Sequence, residues 1–291
     1  MNKKPFVSIL MPSYNSEEFI GIAIKSVLDS TYTNFELIIT DDNSTDSTYE
    51  IAKSFQEKDA RVKVFLNDKN YGDYPNRNKA ASYAKGKYLK YVDHDDYIYP
   101  YGLEQLVYYM EQFPEAGYGL CTMEPQHNQP YPLILSPESA YLMNYSKMGL
   151  FVRAPLSSII KRNVFLDVGG FSGKPFLGDL ELWHKLSQKH NLLLMPGGIV
   201  WYRKHEHQES KKMFGNPDNE FEYLLIGEDF IKSSLCPLKG KDKERVLELY
   251  KKRKVRFFLS TIKNHSIKKG VEIKKKGEIS LKDVFFYPIK K

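Results

Sequence analysis

The sequence predicts an α/β fold: a mainly parallel sheet with helices on both faces. Two observations carry this. Strand-like and helix-like segments alternate through the first 125 residues, and the strand segments are continuously apolar, as strands buried on both faces are. Phe6 to Met11 is a short run rich in β-formers, and Asn15 and Ser16 are placed to cap a helix. In that helix Phe19, Ile20, Ala23, Ile24, Val27 and Leu28 recur at helical spacing. Phe35 to Thr40 predicts the second strand. A capping cluster from Asn43 to Ser47 opens a helix reaching about Lys58, and Val62 to Leu66 is a third strand. Pro75 to Ala84 has the composition of a helix that begins near a proline, and Tyr88 to Val92 is a fourth strand. Internal repeats and low-complexity linkers are absent from the sequence.

Bulk composition sets the frame. A chain of 291 residues, 42% hydrophobic, with 17 Phe and 21 Tyr, can bury a sizeable core. Two cysteines, Cys121 and Cys236, cannot form a disulfide framework, and no Cys/His cluster has zinc-finger spacing. A reduced compartment is therefore expected. The apolar run after Pro5 is too short for a signal peptide, and nowhere do 18 apolar residues run together, so the expected location is the cytoplasm, with peripheral contact to a membrane surface allowed. Charge is unevenly spread. Residues 239–291 hold 18 Lys/Arg against 6 Asp/Glu, so the net +7 of the chain leaves −5 for residues 1–238. The positive charge sits in a terminal appendage without a base-reading or phosphate-cradling motif, which argues against a nucleic-acid partner.

Parallel sheets bind ligands beyond the carboxyl ends of their strands. After the first strand comes Pro12-Ser13-Tyr14-Asn15, after the second Asp41-Asp42-Asn43-Ser44, after the third the stretch Asn67 to Asn78, and after the fourth Asp93-His94-Asp95-Asp96. Five carboxylates thus gather at one edge. An aspartate after a strand also serves as cap or turn former, and Asp41-Asp42 reads either way. Three aspartates in four residues, Asp93, Asp95 and Asp96, repel one another and call for a cation. Oxygen-only ligands suit Mg²⁺ or Mn²⁺, ions shared between one or two carboxylates and substrate phosphates. Neither G-x-G-x-x-G after a strand nor G-x-x-x-x-G-K-[ST] occurs, so a metal is expected to hold the phosphates instead.

Together these residues carry a resemblance. Val7 to Asn15, the turn Asp41-Asp42-Asn43-Ser44-Thr45-Asp46, Asn70 with Arg77-Asn78, and Gly86-Lys87-Tyr88 leading into Asp93-His94-Asp95-Asp96 resemble glycosyltransferase family 2 over roughly residues 5 to 210. The resemblance implies a GT-A fold and a metal-dependent, inverting transfer from a nucleoside-diphosphate sugar, UDP-sugars being favoured, to a glycan, a lipid-linked molecule or another hydroxyl acceptor. It implies that Tyr14 and Asp42 hold the nucleobase, with Pro12, Asn15, Asp41, Asn70 and Arg77 about the nucleotide. Asp93 to Asp96 would be the DxD element, with Asp95 beside the sugar and ribose and Asp95 or Asp96 on the metal. Gly169-Gly170-Phe171 followed by Gly178-Asp179-Leu180-Glu181 is similar to the family's acceptor-facing segment, which makes Asp179 the base; an N-cap is its other reading and Glu181 the runner-up. The family more often has an acidic residue where Gly178 stands. Trp201 to Ser210 resembles the family's tyrosine-arginine-x-histidine segment, placing His205 at the metal or diphosphate, or else in a solvated loop beside His207.

The expected organisation is a nucleotide-sugar part over residues 1–125, an acceptor and base part over 126–215, and a basic helical C-terminal extension over 216–291. Pro125 to Tyr145 is expected to be a mobile acceptor loop. The tail mixes Lys/Arg with Val246, Tyr250, Val255, Phe258, Phe285 and Phe286, a pattern that fits an anionic membrane surface or a helix packed by its apolar side. A nucleotide-sugar pyrophosphorylase would carry a Gly-rich basic loop where Pro12-Ser13-Tyr14-Asn15 stands. A non-catalytic nucleotide-sugar-binding protein would not need the full acidic set.

Overall fold

The computed structural model describes residues 4–121, 130–205 and 216–287. In chain order its elements are β1 (Val7–Ser13), α1 (Ile20–Leu28), β2 (Phe35–Asp41), α2 (Thr48–Gln56), β3 (Val62–Leu66), α3 (Asp73–Ser82), β4 (Tyr88–Tyr91), β5 (Tyr97–Ile98) and α4 (Gly102–Gln112). There follow β6 (Ala116–Cys121), β7 (Leu133–Leu135), α5 (Pro137–Met143), β8 (Ser158–Lys161), α6 (Arg162–Asp167), α7 (Gly178–Lys189), β9 (Asn191–Met195) and β10 (Val200–Trp201). Four more helices are α8 (Pro217–Lys232), α9 (Gly240–Asn264), α10 (Ile267–Lys276) and α11 (Leu281–Phe286). The chain divides into two compact units, one of residues 1–140 and 151–204, the other of residues 141–150 and 205–291.

The first unit is built on an eight-stranded sheet of order β3-β2-β1-β4-β8-β6-β9-β7. β3, β2, β1 and β4 run parallel, β6 pairs parallel with β9, and β8 and β7 run against their neighbours. The mainly parallel sheet expected from the sequence is therefore present, and the neighbours of β1 are set by a reversal of strand order. Moving outward from β1 to β3 puts α1 and α2 on one face. The return from β3 to β4 puts α3 on the other, because such crossovers are right-handed. All seven residues of β1 are buried. β4 holds a lysine at its centre: Lys90 is fully buried, donates to the Leu156 carbonyl, and its amine is pushed down to about 8 by burial.

Some boundaries differ from expectation for identifiable reasons. α1 begins at Ile20, because Asn15 adopts φ +43° and turns the chain, and the Ser16 carbonyl then receives the Phe19 and Ile20 N–H groups. α2 begins at Thr48, whose N–H is capped by the Asp46 carboxylate at 3.0 Å. α3 begins at Asp73, placing Pro75 inside the first turn where its missing N–H costs nothing. The expected loop from Pro125 to Tyr145 contains β7 and α5. Leu133-Ile134-Leu135 is apolar enough to pair with β9, while 125–129 lie outside the described residues.

The second unit is helical, as expected of the tail. Asn216 caps α8 and Ser266 caps α10, and Ser280 with Asp283 forms a reciprocal capping box on α11. Its core holds Phe221, Val255, Phe258, Ile273 and Ile279. Gly270 lets α10 lie against α9, since a Cβ there would meet Ile262. Beside this core the Lys254 ammonium donates to Glu228 at 2.7 Å and to the Gly277 carbonyl at 3.0 Å, both charged residues being buried. Burial raises the Glu228 carboxyl, but the bonds from Lys254 and Lys232 outweigh it and hold it below the usual range. Breaking a buried pair strands a charge. Lys254→Met is therefore expected to lower unfolding stability by about 3–5 kcal/mol, and Lys254→Met with Glu228→Leu by clearly less, as read by urea denaturation followed through the helical signal.

Candidate active site

Helix α3 is the strut of the site, and each of its inward polar residues ends on a different segment. Asn76 donates to the Thr40 carbonyl at the end of β2 and accepts from Asn67. Arg77 binds Asp93 beyond β4 through its two terminal guanidinium nitrogens, at 2.7 and 2.8 Å, and donates from Nε to Asp73 one turn earlier at 2.7 Å. Asn78 exchanges two hydrogen bonds with the backbone of Phe171. Tyr74 reaches Asp179 at the start of α7, its hydroxyl 3.3 Å from Oδ1.

The carboxylates at the strand ends divide into two kinds. Asp41 and Asp42 hold loops. Asp41 accepts from Ser44 N–H, Ser44 Oγ and Ser13 Oγ, while Asp42 accepts from Asn67 Nδ2 and from the backbone N–H groups of Tyr71 and Gly72. Of the two sequence readings for this pair, turn former and ligand, their hydrogen bonds serve the first. Asn15 welds the loops after β1 and β2, accepting from Thr45 N–H and donating its own N–H to Ser44 Oγ. Asn70 accepts from Gly72 N–H, and Tyr14 is exposed beyond β1. β4 pairs with β1 only as far as Leu10, so Pro12 lies past the ladder, where its missing donor is harmless. His94 bridges the gap, donating from Nδ1 to the Pro12 carbonyl at 3.0 Å.

The second kind gathers beyond β4. Burial raises Asp93, but the Arg77 charge and its two hydrogen bonds outweigh this and hold the carboxyl below the usual range. Asp96 is pushed up to about 8 by its burial and by the negative charges of Asp93 and Asp95. Arg203, which the sequence reading passed over in favour of His205, fixes this turn. Its N–H donates to Asp96 at 3.1 Å and its Nε to the Asp95 carbonyl at 2.8 Å, while its guanidinium lies over the rings of Phe19 and Trp201. Asp95 and Asp96 offer only oxygen, which fits a hard divalent cation that completes its shell with phosphate and water. Among the described residues no three His, Cys, Asp or Glu side chains form a closed metal cage. His205 belongs to the second unit, and His207 lies outside the described residues.

Asp179 takes the first turn of α7, where its Oδ1 accepts from the Leu180 N–H at 2.7 Å as well as from Tyr74. It keeps partial access to solvent but sits deep among protein atoms, and that burial pushes it up to about 6 against the lowering effects of the Leu180 N–H and Arg77. Glu181 points elsewhere: it is buried against Ser172 and pairs with Lys174 at 3.0 Å. Gly178 departs from the acid that the family resemblance leads one to expect there, and its surroundings have no room for a side chain. The Tyr74 ring, stacked on Phe171, fills that space. A Cβ at 178 would lie 2.7–2.8 Å from three ring carbons. Tyr74, like Arg203, is absent from the residues the sequence singles out, and the signal for it is its place three residues before Arg77 on one helix face.

Comparison with known proteins follows the same lines. The model of the family described as glycosyl transferase family 2 matches residues 8–169. The putative teichuronic acid biosynthesis glycosyltransferase TuaG of Bacillus subtilis is 39% identical over 127 residues, covering 42% of this chain and 50% of that one. The Escherichia coli UDP-Glc:alpha-D-GlcNAc-diphosphoundecaprenol beta-1,3-glucosyltransferase WfgD is 43% identical over 90 residues, 31% of this chain and 35% of its own. The chain spans about half the length of the curated relatives it matches at 38–39% identity. Among solved structures, Staphylococcus aureus TarS 1–349 in complex with UDP-GlcNAc superposes with a TM-score of 0.70 at 20% identity, over 91% of this chain and 77% of that one, so the fold is GT-A. The tight seat of Tyr74 on Gly178 is directly testable. Gly178→Ala is expected to lower stability by about 1–3 kcal/mol, seen as a fall in melting temperature, and a second change of Tyr74→Leu is expected to recover part of it.

Proposed function

The chain belongs to glycosyl transferase family 2, and from that premise we propose that it transfers a sugar from a nucleoside-diphosphate sugar to a hydroxyl of a glycan or lipid-linked acceptor, with inversion. One observation carries the proposal. A single helix, α3, touches both the acidic turn beyond β4 and the carboxylate at the start of α7, through side chains three residues apart. Residues so spaced on a helix are neighbours, so the turn suited to a charged diphosphate and the group suited to proton removal are held in one frame.

In this reading Asp179 takes the proton from the acceptor hydroxyl as that oxygen attacks the anomeric carbon. One displacement then inverts the centre, and the diphosphate departs without a second acid. Asp95 and Asp96 would hold Mn²⁺ or Mg²⁺; when bound, the ion would supply charge neutralisation on the leaving phosphates. Arg77 keeps Asp93 ionised and fixed, Arg203 braces the turn from its other side, and Tyr14 with Asp42 borders the nucleobase. A UDP-sugar donor and a lipid-linked acceptor are supported by what TarS was crystallised with and by the reaction WfgD is named for. The donor part is assigned to residues 1–125, the acceptor part to 126–215 and the basic extension to 216–291, working from the cytoplasm at the membrane surface. Among the described residues no helix is long and apolar enough to cross a membrane.

The base assignment fixes a pH dependence. Only ionised Asp179 accepts a proton, so kcat is expected to rise through about pH 6 and to fall about tenfold per unit below it. Asp179→Asn is expected to abolish transfer at every pH while nucleotide binding survives; a fully active Asn variant rules the assignment out. Tyr74→Phe removes a hydrogen bond that favours the ionised carboxylate, so the rising limb should move to higher pH with little change in KM. The donor site is checked by melting the protein with a panel of nucleoside diphosphates, with and without Mn²⁺. Stabilisation by one nucleotide, dependent on the metal and lost in Asp95→Ala, is the expected result.

A further inference from the structure

The basic helical unit separates its apolar residues into two sets that the sequence alone runs together. Those of α8 and α9 face inward: Phe221, Val246, Val255 and Phe258 are buried. On α10 and α11 only some do: Ile273 is buried in the core of the unit, but most of the rest are left outside it. Ile267 is 72% exposed and Val271, one turn on along the same face, 57%. Val284 on α11 and Tyr287 just past its end pack on the core of the unit, leaving Leu281, Phe285 and Phe286 at 76%, 87% and 76% exposure. Side chains of this size are seldom left in water together. They are interleaved with cations. α10 carries five lysines against one glutamate, and Lys268, Lys275 and Lys282 are all exposed.

We propose that α10 and α11 form the surface by which this chain docks on an anionic bilayer, Leu281, Phe285 and Phe286 entering the headgroup region with Ile267 and Val271 while the neighbouring lysines meet anionic headgroups. Charge decides the occupant. Apolar groups alone would serve equally for a second copy of the chain, but two such faces would bring lysine against lysine. Anionic lipid supplies both the apolar medium and the opposite charge, each lysine near the surface adding about 1 kcal/mol. The docking surface deepens the lipid-linked-acceptor reading above and rests on it for its purpose, since an acceptor confined to a bilayer is reached by an enzyme that stays there.

Co-sedimentation of the full chain with vesicles tests this without any sugar transfer. Binding is expected to vesicles containing phosphatidylglycerol, weakly or not at all to phosphatidylcholine alone, and to be reversed by high salt. Phe285→Ser with Phe286→Ser should weaken it by roughly tenfold or more, with the helical signal unchanged because both side chains are already in solvent. Lys275→Gln with Lys282→Gln should weaken it and flatten the salt dependence. Undiminished binding by the Phe double variant overturns the proposal, as does a lack of binding to either vesicle. So does a dimer without lipid that the same variant converts to monomer, which would assign the face to self-association. Transfer to a water-soluble acceptor, measured in parallel, reports on the catalytic reading alone and separates its failure from that of the docking surface.

Discussion

The bidentate pair between Arg77 and Asp93 is the constraint on which the site depends. A guanidinium and a carboxylate in parallel register fix both planes as well as the distance, which a lysine in place of Arg77 would not do. Asp93 is thereby held ionised and oriented at the first position of the acidic turn, where its charge joins that of Asp95 in raising Asp96. The same arginine draws on Asp73 one turn back and lies 5.8 Å over the Tyr91 ring, whose hydroxyl donates to the Arg77 carbonyl. Helix α3 is pinned by this one side chain to the central strand β4, and everything else that α3 holds inherits that position.

The Arg77 pair also explains why α3 is polar on its buried face. Its mean hydropathy is low for a helix lying on a sheet, and Asn76, Arg77 and Asn78 point toward protein rather than solvent. Each finds a partner with complementary groups, so burial costs less than it would for unpaired amides. An apolar face would have packed as well but could not have reached four separate segments. The helix trades hydrophobic burial for connectivity, and Asn67, shared between Asp42 and Asn76, extends the network to the loop after β3.

Much of this was legible in the sequence, for reasons that differ by region. β1 to β4 are short, mostly apolar runs rich in β-formers that need no tertiary information to find, and Val62 to Leu66 matches β3 to the residue. Even the buried Lys90 did not hide β4, since its neighbours are large and apolar. The strand-end carboxylates were found because a parallel sheet has only one functional edge. What was not legible depended on contacts distant in sequence. The loop-holding bonds of Asp42 could not be read locally, because its partners at Asn67, Tyr71 and Gly72 come from the loop after β3, whereas the Ser44 bonds of Asp41 are local. Tyr74 and Gly178 are 104 positions apart and meaningful only together. β7 was lost because a three-residue strand beside Pro130 and Pro132 has the composition of a loop.

The division of the chain has a consequence for how such a protein can change by recombination. Residues 141–150 belong with the helical unit: the Tyr145 hydroxyl donates to the Gly227 carbonyl, and Arg253 donates to the Tyr145 carbonyl. That segment is encoded in the middle of the sheet unit, between β7 and β8. A gene fusion that exchanged everything after residue 204 would therefore bring in a new helical unit and leave behind a ten-residue piece fitted to the old one. The C-terminal unit is inherited in two parts, so shuffling it between relatives requires either two exchanges or a recipient that already carries a matching Tyr145.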